Sequence, residues 1–142
     1  VPYQLCYCSI CRKQQGGGGY AINLAADART MKVEGEDHLG LYRAEIQDDE
    51  RPHCETSTGE RRFCRECGSA LWLYDPGWPE LVHPFASAID TDLPVARERV
   101  HLMLKYKASW VEPEIRENDD AFDFYSAESI EGWHKKRGLW VE

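Results

Sequence analysis

Three cysteines stand close together near the start of the chain. They are Cys6, Cys8 and Cys11, spaced C-x-C-x-x-C in the stretch LCYCSIC. On an extended chain, residues i and i+2 point to the same side, so Cys6 and Cys8 can grip one ion. Cys11 can close on that ion from a turn. Thiolates are soft ligands, and zinc is the metal such a set calls for. Three protein ligands leave one tetrahedral position free, as in a reactive zinc site. An ion held that way can take a small-molecule thiol as thiolate or polarise a carbonyl. In the competing arrangement, a cysteine of a second cluster closes the site and the metal only holds the fold. Four glycines follow, Gly16, Gly17, Gly18 and Gly19. A loop without side chains lets a ligand approach bare backbone N–H donors; a plain surface turn is the other reading.

The second cluster is Cys64 and Cys67, in FCRECGSALW. C-x-x-C followed by Gly is the spacing of a metal knuckle, with Gly68 permitting a positive φ. A knuckle supplies two ligands, and structural zinc takes four. A thioredoxin-like redox pair would instead need the motif at a helix N-terminus, and SALWLYD after it reads as strand. Five of the six cysteines lie in these two clusters, which argues for metal thiolate over a disulfide framework. Cys54 is the remaining thiol. His53 and His83 could be acid–base groups or spare ligands, although a lone His is more often structural. Arg61 and Arg62 could meet a substrate carboxylate, with a solvated strand face the simpler account for at least one. Trp72 and Trp78 belong to the core or its rim, or border a pocket.

The elements that must position these residues are mostly strands. Residues 19–24, 39–44, 61–64, 69–75, 81–87 and 100–106 are short, aromatic or β-branched, and bounded by Gly, Pro or Asp. In SALWLYD, Leu71 and Leu73 face one way and Trp72 and Tyr74 the other. Residues 45–53 read as a surface loop and 111–123 as an acidic connector. A short helix is expected within 126–138, with Ser126 as N-cap and Gly138 just past its end.

The chain has 142 residues, which fits a single domain over 1–142, its core about 5–107 and its connector and helical tail about 111–142. A net charge of −8 repels phosphate backbones, so no nucleic-acid partner is expected. No run approaches the roughly 18 apolar residues of a membrane span. With no export signal visible, a cytoplasmic protein is expected.

The trio with its glycine run, followed later by RRFCRECGSAL, resembles the glutathione-dependent formaldehyde-activating enzyme family, which includes centromere protein V type domains. The resemblance covers about residues 5–94. It implies an Mss4-like, β-tent fold of several small coiled sheets around zinc, and two zinc sites. The catalytic Zn2+ would sit on Cys6, Cys8 and Cys11. The structural one would use Cys64 and Cys67 with an N-terminal C-x-C. The implied reaction joins glutathione to formaldehyde through a carbon–sulfur bond and is classed with carbon–sulfur lyases. This sequence holds no C-x-C ahead of the trio and begins at Val1. Either a shortened member or a segment outside this sequence is therefore expected; Cys54 could substitute as a ligand, with a lone thiol at a strand start the simpler account. A non-catalytic, zinc-stabilised binding module is the rival function, and a thiol redox switch is a third.

Overall fold

The computed structural model describes residues 2–15, 17–48 and 51–141. Strand β1 (Tyr3–Cys6) lies inside a four-stranded sheet. It pairs antiparallel with β2 (Ala21–Asn23) and parallel with β10 (Arg99–Leu102), and β10 carries β11 (Asp120–Ala121) on its outer edge. Cys6 sits opposite Ala21 on one side and Leu102 on the other. The backbone N–H of Tyr7 donates to Leu102 O at 3.0 Å, so the ladder runs on past the first cysteine. A strand paired on both edges is held along its length, and this one delivers Cys6 from a fixed base.

A five-stranded antiparallel sheet has the order β3 (Ala26–Asp27), β9 (Leu81–Pro84), β8 (Ala70–Tyr74), β7 (Glu60–Cys64) and β4 (Leu39–Tyr42). Here the alternating SALWLYD and the RRFC stretch form neighbouring strands, as expected from their pattern. Gly40 faces Phe63 across β4 and β7, and a Cβ on it would fall 2.2 Å from the Phe63 ring. The ring takes the space that any side chain at position 40 would need. A third, two-stranded sheet pairs β5 (Glu45–Ile46) with β6 (Glu55–Thr56). The fold is therefore mostly β, in several small sheets.

The two larger sheets meet where Asn23 bridges to Phe85 and Leu24 N–H donates to Pro84 O at 2.9 Å. Phe85 and Val82 are fully buried at that seam. Leu5, Tyr7 and Val111 form one apolar cluster; Val100, Leu102 and Trp133 form another.

Several expectations need correction. Cys11 lies in the first turn of a helix, α1 (Ser9–Gln15), rather than in a turn. Arg, Lys and Gln are good helix formers, and the glycine run ends the element. Seven residues are too few for an independent helix, so burial of Cys11 against Cys6 and Ala21 holds it. Residues 45–53 are not all loop, because Glu45–Ile46 pairs as β5; Asp49 and Glu50 lie outside the described residues. The late helix, α2 (Ile130–Lys136), starts at Ser129 and not Ser126: Ser129 Oγ accepts Gly132 N–H, while Ser126 Oγ caps only the turn at Glu128. It ends at Gly138 as expected. Gly138 has φ +64, and the Leu139 and Gly138 N–H groups return to His134 O and Lys135 O. That is a Schellman closure. The acidic connector is also more than a connector, since it carries buried Val111 and strand β11. Among the described residues no helix is long and apolar enough to cross a membrane.

Candidate metal centre

The sulfurs of Cys6, Cys8 and Cys11 lie within 4.8 Å of one another. Cys6 ends β1, Cys8 follows one residue beyond the strand, and Cys11 reaches back from α1. Sulfurs 2.3 Å from a tetrahedral zinc stand about 3.8 Å apart. The trio therefore fits such an ion with a small inward adjustment. Among the described residues, no fourth His, Cys, Asp or Glu joins the group. The donor set of three sulfurs suits zinc.

The three thiols share charge unevenly. Cys11 is held well below the usual thiol range, first by hydrogen bonds from the Cys6 and Cys8 thiols and then by the Arg61 guanidinium. Cys6 and Cys8 are pushed up because each donates toward Cys11 and because both are sheltered from water. The hydrogen bonds among the three sulfurs therefore run toward Cys11. The Cys11 N–H also donates to Cys8 Sγ at 3.3 Å.

Two polar side chains approach the Cys11 sulfur from other strands. Arg61 Nη2, from β7 of the second sheet, donates at 3.6 Å. Asn23 Nδ2, from β2, lies at 3.9 Å. Arg61 is 8% exposed and Asn23 9%. Each keeps one buried polar atom with no partner among the described residues, Nη1 and Oδ1. Sequence reasoning offered Arg61 a substrate carboxylate, and the structure gives it a sulfur. Arg62 points elsewhere and pairs with Glu60 at 3.1 Å. Nothing in AINL marked Asn23.

Behind the trio runs a buried polar chain that sequence reasoning missed. Tyr7, between Cys6 and Cys8, donates its hydroxyl to His101 Nδ1 at 2.9 Å. His101 Nε2–H donates to Asp119 Oδ2 at 3.1 Å. Both His101 and the Asp119 side chain are fully buried. Asp119 also accepts from Arg99 and Arg116. Burial alone would raise its carboxyl, but the two arginines and His101 hold it far below the carboxylate range. Burial pushes the Tyr7 phenol up to about 12. The chain anchors the turn that presents Cys6 and Cys8.

The glycine loop has a packing reason at one position. Gly19 has φ +88, and a Cβ there would lie 2.3 Å from Val111 Cγ2. Gly17, with φ +70, has open space where a side chain would be. Gly16 lies outside the described residues.

Cys64 closes β7, and Cys67 lies in the turn leading to β8, with Gly68 at φ +76. The motif is a hairpin turn, not a helix N-terminus. Cys67 contacts Ser69 Oγ at 3.0 Å, and the Ser69 hydroxyl and backbone, with Cys64, draw its thiol down. Among the described residues, no third ligating side chain gathers with this pair. Cys54 does not approach it. Exposed at the edge of the small sheet, Cys54 points to Glu45 Oε2 at 3.8 Å. His83 donates from Nδ1 to Leu24 O at 2.9 Å, and burial lowers its pKa, so it is a neutral strut between strands. His53 and Trp78 are exposed, and Trp72 is half-buried in β8.

Comparison with known proteins agrees with this geometry. Residues 1–105 match the model of the family described as "Glutathione-dependent formaldehyde-activating enzyme". A curated protein of Halomonas elongata, provisionally named a glutathione-dependent formaldehyde-activating enzyme, is 59% identical over 138 residues, covering 97% of this chain and 84% of the relative.

Proposed function

Given that this chain belongs to the glutathione-dependent formaldehyde-activating enzyme family, we propose that it is a zinc-thiolate enzyme of carbon–sulfur lyase type, joining glutathione or a related thiol to formaldehyde. One observation carries the reading: three sulfurs converge within 4.8 Å, and no fourth ligand joins them among the described residues. A purely structural zinc would take four protein ligands.

Zinc bound there would supply a strong local positive charge, which favours thiolate over thiol at neutral pH. Cys6, Cys8 and Cys11 hold the site, while Arg61 and Asn23 fix the Cys11 sulfur. Gly17 and Gly18, beside α1, face the peptide portion of the thiol, whereas Gly19 is committed to Val111. The thiol enters with its proton released to solvent. Its sulfur then forms the bond to the aldehyde carbon, the carbonyl pair moves to oxygen, and that oxygen takes a proton from water. No side-chain general base is required, because the metal's charge would favour loss of the thiol proton. Cys64 and Cys67 would supply two of the four ligands of a structural metal site.

Magnetisation-transfer NMR of glutathione with formaldehyde tests this. Zinc-loaded protein should speed exchange into S-hydroxymethylglutathione, and Cys8→Ser should abolish the gain. A fully zinc-loaded trio with no acceleration would make this a binding module.

A further inference from the structure

Arg61 is an unusual presence in this core. Its side chain reaches from β7, in the five-stranded sheet, to a sulfur in the four-stranded sheet. It is 8% exposed. A guanidinium is charged at every working pH, and a buried charge needs a compensating charge beside it. Glu60, its neighbour in sequence, is taken by Arg43 at 2.6 Å and Arg62 at 3.1 Å. Among the described residues, no carboxylate stands within ion-pair distance of Arg61, and its hydrogen-bond partner is Cys11 Sγ. The sulfur cluster is therefore the charge it answers.

The need for that charge follows from simple counting. Three thiolates around a divalent ion leave one net negative charge. A thiol arriving as thiolate adds a second. In a sheltered site, that repulsion opposes the ligand the site must accept. We infer that Arg61 is the counter-ion of the Cys6–Cys8–Cys11 cluster, and that its charge sets the preference of the open position for an anionic sulfur over a neutral ligand. Its Nη1, on the same rigid fork as the Nη2 bound to Cys11, is buried and has no partner among the described residues. Asn23, whose Nδ2 lies 3.9 Å from the same sulfur, likewise has a buried Oδ1 with no partner among the described residues. This inference deepens the proposed function and rests on the trio being a three-ligand metal site.

The test uses the full chain loaded with Co2+ as a spectroscopic stand-in for zinc. The probes are 2-mercaptoethanol, which binds as thiolate, and imidazole, which binds neutral; metal affinity is measured separately by chelator competition. Removing an outer-shell partner usually costs about 10–100-fold in metal affinity, and Arg61→Gln should fall in that range. It should also weaken 2-mercaptoethanol about tenfold or more while changing imidazole by less than about threefold, the mark of a lost charge. Equal weakening of both ligands, or unchanged metal affinity, overturns the inference. Arg61→Lys keeps the charge and should keep the thiolate preference. If Arg61→Gln does not fold, this variant decides: a folded Arg61→Lys that has lost the preference also overturns the inference. Arg62→Ala, which removes a guanidinium paired with Glu60, should match the parent. Because 2-mercaptoethanol has no peptide portion, the result stands whether or not glutathione is the substrate. The NMR exchange experiment answers that separately.

Discussion

Asp119→Asn should be among the most damaging single changes in the molecule, although it leaves every sulfur in place. The Asp119 side chain has no exposed surface. It accepts from Arg99 N at 2.8 Å and Nε at 3.0 Å, from Arg116 N at 3.0 Å and Nη2 at 3.1 Å, and from His101 Nε2 at 3.1 Å. The amide removes the charge and turns an N–H2 group toward some of these donors. Breaking a buried ion pair by removing one partner costs about 3–5 kcal/mol. The Arg99 and Arg116 side chains are 18% and 36% exposed, so both can recover some hydration. The low end, about 3 kcal/mol, is therefore the expected loss. With an m-value near 2 kcal/mol/M, the urea midpoint should fall by about 1.5 M. Tryptophan fluorescence reports it, and a single transition is expected if residues 106–142 fold with the rest. A midpoint shift under about 0.5 M at unchanged m would refute the reasoning. It would mean that the arginines and His101 do not depend on this carboxylate.

Two further outcomes follow from the same structure. The Asp119 carboxyl is held below its ordinary value, so it stabilises the fold above its unfolded pKa of about 3.9, and that stability is lost as pH falls below about 4. Urea midpoints at descending pH should drop more steeply for the parent than for Asp119→Asn; parallel curves would sink the assignment. At Gly19 a methyl meets both a positive φ and Val111 Cγ2, while at Gly17 it meets only the positive φ. Gly19→Ala should cost about 2–4 kcal/mol and Gly17→Ala about 1 kcal/mol. Equal shifts in melting temperature would contradict the packing account.

The parts that were legible in the sequence are those set by local pattern. SALWLYD alternates and sits beside RRFC in the same sheet because period-two hydrophobicity and a glycine turn specify a hairpin. The spacing of Cys6, Cys8 and Cys11 announced their convergence, and the Gly138 helix stop was readable from its residue type. What escaped depends on distant partners. Two-residue strands such as β3, β5, β6 and β11 carry no periodicity of their own, and exist because a neighbour offers hydrogen bonds. The helix α1 is too short to show a pattern. Arg61 and Asn23 look like ordinary strand residues until the two sheets bring them to one sulfur. Asp119 sits in an acidic run where nothing separates it from its solvated neighbours; only the parallel approach of β11 to β10 carries it beneath His101.

The central claim is that the trio is an open three-sulfur metal site that takes its fourth ligand from solution. Zinc K-edge X-ray absorption of the loaded protein, with and without glutathione, addresses it directly once the zinc of the Cys64–Cys67 knuckle, if present, is excluded with a Cys64→Ser background. The account predicts three sulfurs at about 2.3 Å with one lighter atom at about 2.0 Å, changing to four sulfurs when glutathione is added. Four sulfurs before any thiol is added, or no gain of sulfur after it, would contradict it.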